Sequence, residues 1–411
     1  MSELEKKLRQ FIIDKCIPNG DEIVLYGCTN ETAILIEILI NIGRKPLAVI
    51  DGDCRKEGGY WYGIPVMMPR HNAGILGHAY IIIWSSYSSE MYSNMINLGV
   101  DNSRILLIDI LKESDEYIDY RIQSLKKSLH VYSELKNKNS EHILMVAPRA
   151  SGDIYLSLSL LSEWKRQNTI DRKICVVGLG NNAADLAQMF GVERFEYISD
   201  SDRRQLLFAY TILGDLLDIK ILSPWEINVR NSYFPKTKSE LVFYDKYKYE
   251  VFNLAIGTQG VFPSKIVTPN KEKSIILSPY AYSSPAPSLS TEFWENVAEK
   301  MIRKGYLVYT VGYGDKEPTV KNTVKIQFSY SEALEVLGKC IGFIASRSGL
   351  CDIVHNADCK QVILFSNRLL ETSTSFYGMK NNFKDFNGIE INCDQYSEDE
   401  LIETIIEKVC E

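Results

Sequence analysis

An apolar segment that passes directly into a turn of small and polar residues occupies positions 341–352, Ile341-Gly342-Phe343-Ile344-Ala345-Ser346-Arg347-Ser348-Gly349-Leu350-Cys351-Asp352. Its first five residues predict a buried strand, and the segment from about Gly349 predicts a helix. Strands that alternate with helices in this way form parallel sheets covered by helices. Because the same order recurs throughout the chain, the sequence predicts an α/β protein with three Rossmann-like units.

Two irregular stretches separate these units. Residues 136–141 are polar, and residues 257–270 lie between two arrays of predicted strands and helices. We therefore expect domains at residues 1–140, 141–262 and 263–411, the last two facing one another across an interdomain cleft. The chain has 411 residues, of which 45% are hydrophobic, so it is long enough for two or three cores.

Composition argues against several classes of protein. The net charge of -7 disfavours a general nucleic-acid binder, because affinity for phosphates needs clustered Lys and Arg. The nine cysteines include no Cys-x-x-Cys pair and the five histidines show no ligand spacing, so neither a disulfide framework nor a metal site is predicted. The N-terminal residues lack the apolar core of a signal peptide. We expect a cytoplasmic protein that contacts a membrane, if at all, from its inner surface.

The second unit carries a carboxylate just after its first strand. Residues 148–153 read Pro148-Arg149-Ala150-Ser151-Gly152-Asp153 and lead into a helix predicted from about Asp153 to Arg166. In α/β folds ligands bind at the carboxyl edge of the sheet, where such a turn lies. Asp153 is therefore a candidate general base. The alternative is that Asp153 only caps the helix.

The turn in the third unit suits an anionic ligand. Free backbone amides at a helix start, the hydroxyls of Ser346 and Ser348, and the guanidinium of Arg347 can all bind a pyrophosphate. A serine cap and a surface arginine are the alternative interpretation. Asp352, in the first turn of this helix, would either favour the helix dipole or hold a ribose hydroxyl.

Residues 142–411 resemble the heptosyltransferase-like GT-B glycosyltransferases. In that family a Gly-Asp pair follows the first strand and supplies the candidate base, which Gly152-Asp153 matches. An acidic-Ser-Gly-x-x-His loop then binds the donor diphosphate, and residues 347–352 occupy its place. Here Arg347 replaces the acidic residue and Asp352 replaces the histidine, and the loop at residues 278–290 has none of the family's basic residues.

The resemblance implies an enzyme that moves a sugar from a nucleotide-sugar donor to a glycan or lipid-linked acceptor during surface polysaccharide synthesis. Residues 141–262 would then form the acceptor side and residues 263–411 the donor side. Asp153 would deprotonate the acceptor, while Arg347 and the amides near Ser348 and Gly349 would stabilise the departing nucleoside diphosphate. Such a reaction inverts the anomeric centre and requires neither a metal nor a cofactor.

The N-terminal unit contains a weaker nucleotide signal. Its first turn keeps only Gly27 of the G-x-G-x-x-G pattern, and Asp51 stands where a ribose-binding acid would. Together with Gly63-Ile64-Pro65-Val66, these residues resemble the N-terminal domain of bacterial sugar acyltransferases, which binds nucleotide-linked sugars. A binding module and a degenerate scaffold both fit. A metal-binding D-x-D at Asp51-Gly52-Asp53 is a further alternative.

Other features leave other functions open. Gly178-Leu179-Gly180-Asn181-Asn182-Ala183 has the spacing of a dinucleotide fingerprint, which would suit an NAD(P)-dependent oxidoreductase or a simple packing turn. A third functional hypothesis is a non-catalytic protein that binds nucleotide sugars. The aromatic and basic stretch Trp225 to Tyr249 fits either a lipid-linked acceptor or packing between domains. Among the histidines, His355 lies near the predicted donor loop.

Overall fold

The computed structural model describes residues 3–15, 17–18, 20–53, 56–85, 87–108, 114–224, 243–255, 257–281, 287, 289–315, 317–366 and 378–410. The chain forms two compact units, Met1–Val146 with Ile198–Lys236, and Ala147–Tyr197 with Thr237–Glu411. The three-domain division at residues 140 and 262 stays a prediction. None of the described helices is long and apolar enough to cross a membrane.

Short strands supply the sheets of both units. In chain order they are β1 (Ile23–Tyr26), β2 (Ala48–Ile50), β3 (Tyr60–Trp61), β4 (Ile64–Met67), β5 (Tyr80–Ile83), β6 (Ile105–Leu107), β7 (His142–Val146), β8 (Lys173–Gly178), β9 (Arg194–Tyr197), β10 (Ile219–Ile221), β11 (Glu272–Ser278), β12 (Leu307–Val311), β13 (Val324–Ile326), β14 (Cys340–Ser346), β15 (Lys360–Phe365) and β16 (Ile389–Asn392).

Helices alternate with these strands. They are α1 (Glu3–Asp14), α2 (Asn30–Asn41), α3 (Ala73–Leu76), α4 (Ser88–Asn97), α5 (Asp115–Lys138), α6 (Ser151–Ser159), α7 (Leu161–Gln167), α8 (Gly180–Met189), α9 (Asp200–Leu213), α10 (Phe243–Lys246), α11 (Thr291–Arg303), α12 (Tyr330–Gly338), α13 (Gly349–Ile353), α14 (Met379–Asn382) and α15 (Glu398–Cys410). A π-helical turn, Tyr247–Val251, continues α10.

The first unit contains a six-stranded sheet in the order β3-β4-β2-β1-β5-β6. All of its pairs are parallel except β3 with β4. The buried face of β1 and β5 packs with Met95 of α4 and with the side chains of β2 in one apolar cluster. The same unit also contains the parallel pair of β7 and β10.

The second unit contains a six-stranded sheet in the order β13-β12-β11-β14-β15-β16, and every pair in it is parallel. Counted from β11, this is the Rossmann order 3-2-1-4-5-6, whose direction reverses between β11 and β14. Ligands of such sheets bind at the carboxyl ends of the strands beside that reversal. The unit also contains the parallel pair of β8 and β9. The predicted α/β class with Rossmann-like units is confirmed.

Serine and threonine residues begin several helices, as their capping preference predicts. The Thr29 side chain accepts a hydrogen bond from the amide of Thr32 at the start of α2, and Ser290 does the same for Phe293 at the start of α11. Ser329 forms a capping box with Glu332 at α12. These local bonds fix the residue at which each of the three helices begins.

The helix predicted from about Asp153 to Arg166 is in fact two helices. α6 ends at Ser159, and α7 begins at Leu161. The hydroxyls of Ser157 and Ser159 donate to the backbone carbonyls of Asp153 and Leu156. Such bonds compete with the helical ladder and bend or end a helix.

Candidate functional site

Asp153 is the third residue of α6, and its side chain is buried, with 7% of the residue exposed. Ala150 holds the N-cap position and makes no side-chain cap bond, so Asp153 lies inside the first turn. A carboxylate there is stabilised by the helix dipole. The phenol of Tyr247, buried in the π-helical turn, donates a hydrogen bond to Asp153 Oδ1. The carboxylate is therefore held in one orientation.

Two glycines bring the predicted base and the predicted donor loop together. A Cβ atom on Gly349 would lie 2.7 Å from the backbone nitrogen of Gly152. A Cβ atom on Gly152 would lie 2.5 Å from Asp352 Oδ2 and 3.1 Å from Gly349 Cα. Only residues without a side chain permit this approach, so the starts of α6 and α13 meet backbone against backbone.

The donor loop is organised by a buried ion pair. Arg347 Nη2 donates to Asp352 Oδ1 at 2.6 Å, and Arg347 Nη1 lies 3.1 Å from Asp352 Oδ2 and 2.7 Å from the Ser348 carbonyl oxygen. Burial acts to lower the pKa of Arg347, but the Asp352 carboxylate outweighs it and raises that pKa. The ion pair of the two side chains holds the loop closed on itself. Their predicted contacts with a diphosphate and a ribose stay predictions.

The serines of this loop differ in their surroundings. Ser348 occupies the N-cap of α13, but its hydroxyl makes no cap bond. Ser346 is 1% exposed, and its hydroxyl has no hydrogen-bond partner among the described residues. α13 itself is only five residues long, so its dipole is small. The loop thus presents the Ser348 hydroxyl and backbone amides rather than a strong helix dipole.

His355 packs behind the loop. It is fully buried, its Nδ1 lies 2.8 Å from the Asp352 carbonyl oxygen, and its ring stacks on Phe383 with centroids 4.1 Å apart. Its Nε2 lies 3.3 Å from Asp385 Oδ1, and this proximity of the His355 ring lowers the pKa of Asp385. These contacts fix the end of α13, which makes His355 a structural residue of the loop.

The N-terminal candidates, Gly27 and Asp51, lie in the first unit. Gly27 has φ +95°, which explains the glycine, since other residues rarely adopt this conformation. The Asp51 carboxylate accepts bonds from the backbone amides of Cys28 (2.8 Å) and Asp53 (2.9 Å) and pairs with Lys56 at 2.8 Å. Asp51 thus ties the first turn to the second strand. A nucleotide there stays a prediction, as does the D-x-D alternative.

The glycines of the possible dinucleotide fingerprint have local explanations. A Cβ atom on Gly178 would lie 3.1 to 3.3 Å from side-chain atoms of Ala183, Ala147 and Phe195. Gly180 has φ +67°. Close packing and a left-handed turn therefore account for both, as the packing interpretation expects.

The aromatic and basic stretch from Trp225 is described only from Phe243 onward, and residues 225–242 lie outside the described part of the chain. Tyr244 is buried, and its phenol shares a hydrogen bond of 2.6 Å with the Ser159 hydroxyl. The Lys248 ammonium lies 4.3 Å from the centre of the Tyr244 ring. Lys248 also pairs with Asp245 at 2.9 Å. Packing therefore explains these residues. Tyr247 falls within the stretch that the sequence analysis selected, but no sequence signal indicates its hydrogen bond to Asp153.

Several solved structures are similar to this chain. E. coli ADP-heptose LPS heptosyltransferase II is 14% identical, with 66% of this chain and 98% of that chain covered and a TM-score of 0.46. E. coli heptosyltransferase WaaC with ADP is 11% identical, with 64% and 99% covered and a TM-score of 0.45. A family 9 glycosyl transferase from Veillonella parvula is 13% identical, with 65% and 97% covered and a TM-score of 0.43. No protein-family model and no curated protein matches the sequence. The structures named here are all glycosyltransferases.

Proposed function

We propose that this protein is a GT-B type glycosyltransferase that moves a sugar from a nucleotide-sugar donor to a glycan or lipid-linked acceptor. One observation carries the proposal: the contact between Gly152 and Gly349 brings the buried carboxylate of Asp153 next to the loop of Arg347 and Asp352. That loop follows β14, beside the reversal of strand order where Rossmann-like sheets bind ligands.

Asp153 would act as the general base. Its carboxylate takes the proton of an acceptor hydroxyl as that oxygen forms a bond to the anomeric carbon. The bond from this carbon to the diphosphate oxygen breaks, and the nucleoside diphosphate leaves with the electron pair. This single displacement inverts the anomeric centre. Tyr247 would be a positioning residue, because its phenol donates to Asp153 Oδ1 and so acts on the reaction through the base.

The donor loop would stabilise the departing diphosphate. Arg347 supplies two N–H groups in a fork that matches phosphate oxygens, and the Ser348 hydroxyl is not used as a cap. The contact of 3.1 Å between Arg347 Nη1 and Asp352 Oδ2 is the longer of the two bonds in the ion pair. A diphosphate oxygen would replace Asp352 Oδ2 in this contact. The Arg347 guanidinium would then provide positive charge at the leaving group without a metal.

The biological setting belongs to the same proposal. The resemblance of residues 142–411 favours surface polysaccharide synthesis in the cytoplasm, with Ser346 and Asp352 completing the donor site. The N-terminal unit would bind a nucleotide-linked sugar through Gly27 and Asp51 or serve as a scaffold. A nucleotide-sugar-binding protein without catalysis is the second candidate, because Asp153 is buried and hydrogen-bonded by a phenol.

Calorimetric titration of nucleoside diphosphates and nucleotide sugars tests the donor site, with NADH and NADPH in parallel. We expect a diphosphate ligand to bind the wild type and to bind Arg347→Ala much more weakly. The double variant Arg347→Ala/Asp352→Ala removes both charges, so it separates loss of ligand contact from a buried unpaired charge. Nicotinamide binding without any diphosphate response would refute the proposal.

A further inference from the structure

A cavity of about 640 Å³ lies within the second unit. One wall is α8, and the others are the ends of β9, β12 and β13 with the loops that follow them. Its size falls within the range of roughly 300–1,000 Å³ that is typical of small-molecule sites. None of the residues assigned to the base or to the donor loop lines it.

Planar polar groups and exposed rings dominate its lining. Asn181, Gln188 and Gln327 contribute amides that both donate and accept hydrogen bonds. Tyr197 and Tyr313 are 61% and 45% exposed as whole residues. Amide groups match neighbouring hydroxyls of a sugar, and aromatic rings cover its C–H face. This is the combination that a polyhydroxylated ligand requires.

The charge of the cavity disfavours a phosphorylated ligand. Among its described lining residues, Asp185 and Glu332 are the charged ones, and none is Lys, Arg or His. An anionic group would meet like charge without a compensating cation, which disfavours its binding. An uncharged sugar meets no such penalty.

Tyr330 connects this cavity to the proposed base. Its backbone nitrogen donates to Asp185 Oδ2 at 3.2 Å, and the Ser151 side chain acts to lower the pKa of its phenol. Burial outweighs this effect and raises the pKa of the Tyr330 phenol above its usual value. Ser151 is the first residue of α6, the helix that carries Asp153. Tyr330 thus interacts both with a residue that lines the cavity and with the helix that carries the base.

We infer that the cavity binds an uncharged sugar residue of the acceptor. The inference rests on the proposed function, and it narrows the acceptor to a glycan that presents a neutral sugar to this face. Tyr197 and Tyr313 would stack on the sugar ring, while Gln327 and Asn181 bind its hydroxyls.

Saturation-transfer NMR with simple probes tests this site. The probes are methyl glycosides of glucose, galactose, N-acetylglucosamine and rhamnose, with glucose 6-phosphate and glucuronic acid as charged counterparts and adenosine and uridine as nucleosides. We expect a neutral glycoside to bind the wild type and to bind Tyr197→Ala and Gln327→Ala more weakly, on the order of three- to tenfold for loss of the stacked ring. Tyr396→Ala, an exposed tyrosine of the same unit, is the matched control.

The outcomes separate this inference from the donor site. If neutral glycosides bind Tyr197→Ala and Gln327→Ala with the same affinity as they bind the wild type, the inferred sugar site is refuted, whatever the nucleotide titrations show. Preferential binding of the charged sugars or the nucleosides, lost in the same variants, also overturns it. If neutral glycosides bind the wild type, bind the variants more weakly, and no nucleotide binds, the sugar site is supported and the glycosyltransferase proposal fails.

Discussion

Gly152 and Gly349 pack so closely that a Cβ atom on Gly349 would lie 2.7 Å from the backbone nitrogen of Gly152. The two residues are almost two hundred positions apart, and each stands at the start of a helix. Their contact brings the Asp153 helix and the Arg347 loop together. It therefore has consequences for both stability and function.

Gly152→Ala tests the contact. Alanine is favoured over glycine inside a helix by about 1 kcal/mol, so without the contact this change would stabilise α6. The new Cβ atom would lie 2.5 Å from Asp352 Oδ2, and we expect a net loss of about 1–3 kcal/mol. Gly257→Ala is the control, because nothing lies within 4 Å of its Cβ position. Thermal unfolding gives the melting temperatures of both variants. An unchanged or raised melting temperature for Gly152→Ala would contradict the geometry.

The buried pair of Arg347 and Asp352 predicts strong coupling. Either Arg347→Ala or Asp352→Ala leaves an unpaired buried charge and should cost about 3–5 kcal/mol, whereas the double variant should lose much less than the sum. Arg166→Ala breaks an exposed pair with Glu163 and should change stability little. Chemical denaturation of all four variants gives the coupling, and additive losses would show that the two side chains act independently.

Tyr117 predicts a loss of stability in alkali. Its phenol donates to Glu31 at 3.0 Å, and burial together with the Glu31 charge raises the pKa of Tyr117 to about 12. Because the unfolded value is near 10, the folded chain holds this proton more tightly. The contribution is therefore complete below pH 10 and falls by about 2 kcal/mol as the pH rises to 12. Tyr117→Phe should flatten the decline in this window, and Tyr87→Phe, at an exposed tyrosine, should not. Equal slopes for Tyr117→Phe and wild type would count against the assignment.

Tyr247 should affect turnover more than binding. Tyr247→Phe removes the hydrogen bond to Asp153 Oδ1 without touching the donor loop, so kcat should fall while the affinity for the nucleotide sugar is unchanged. The fall should be smaller than that caused by Asp153→Asn, since the base itself remains. Tyr249→Phe, on the same turn and 43% exposed, is the control. A rise in KM at constant kcat would instead assign Tyr247 to substrate binding.

Local patterns explain which parts of the fold were predictable. The strand β14 has an apolar core, Ile341 to Ala345, and a polar turn follows it, so the sequence located it within one residue at each end. The strand β13 was not predicted, because Val324–Ile326 is a short, mostly exposed edge strand that is defined only by its pairing with β12. Edge strands of this kind lack an apolar pattern, and their structure depends on distant neighbours.

The site divides in the same way. Asp153 and the Arg347 loop follow strands at recognisable turns, so the sequence identified them as candidates. Tyr247 binds Asp153 across 94 positions, and no local signal links the two. The pairing of Arg347 with Asp352 spans five positions, which is neither of the helical spacings that make neighbours. These contacts arise from tertiary packing and needed the structure.

The central claim is that Asp153 is the base of a glycosyl transfer. Its most direct test is the release of nucleoside diphosphate from UDP-, GDP-, ADP- and dTDP-sugars in the presence of the methyl glycosides, for wild type and Asp153→Asn, with Asp171→Asn as control. We predict release by wild type and by the control, and a fall of about 10²–10⁴ in Asp153→Asn with donor binding retained. Equal release by Asp153→Asn and wild type, or a wild type that binds a donor and releases no diphosphate from it, would contradict the claim.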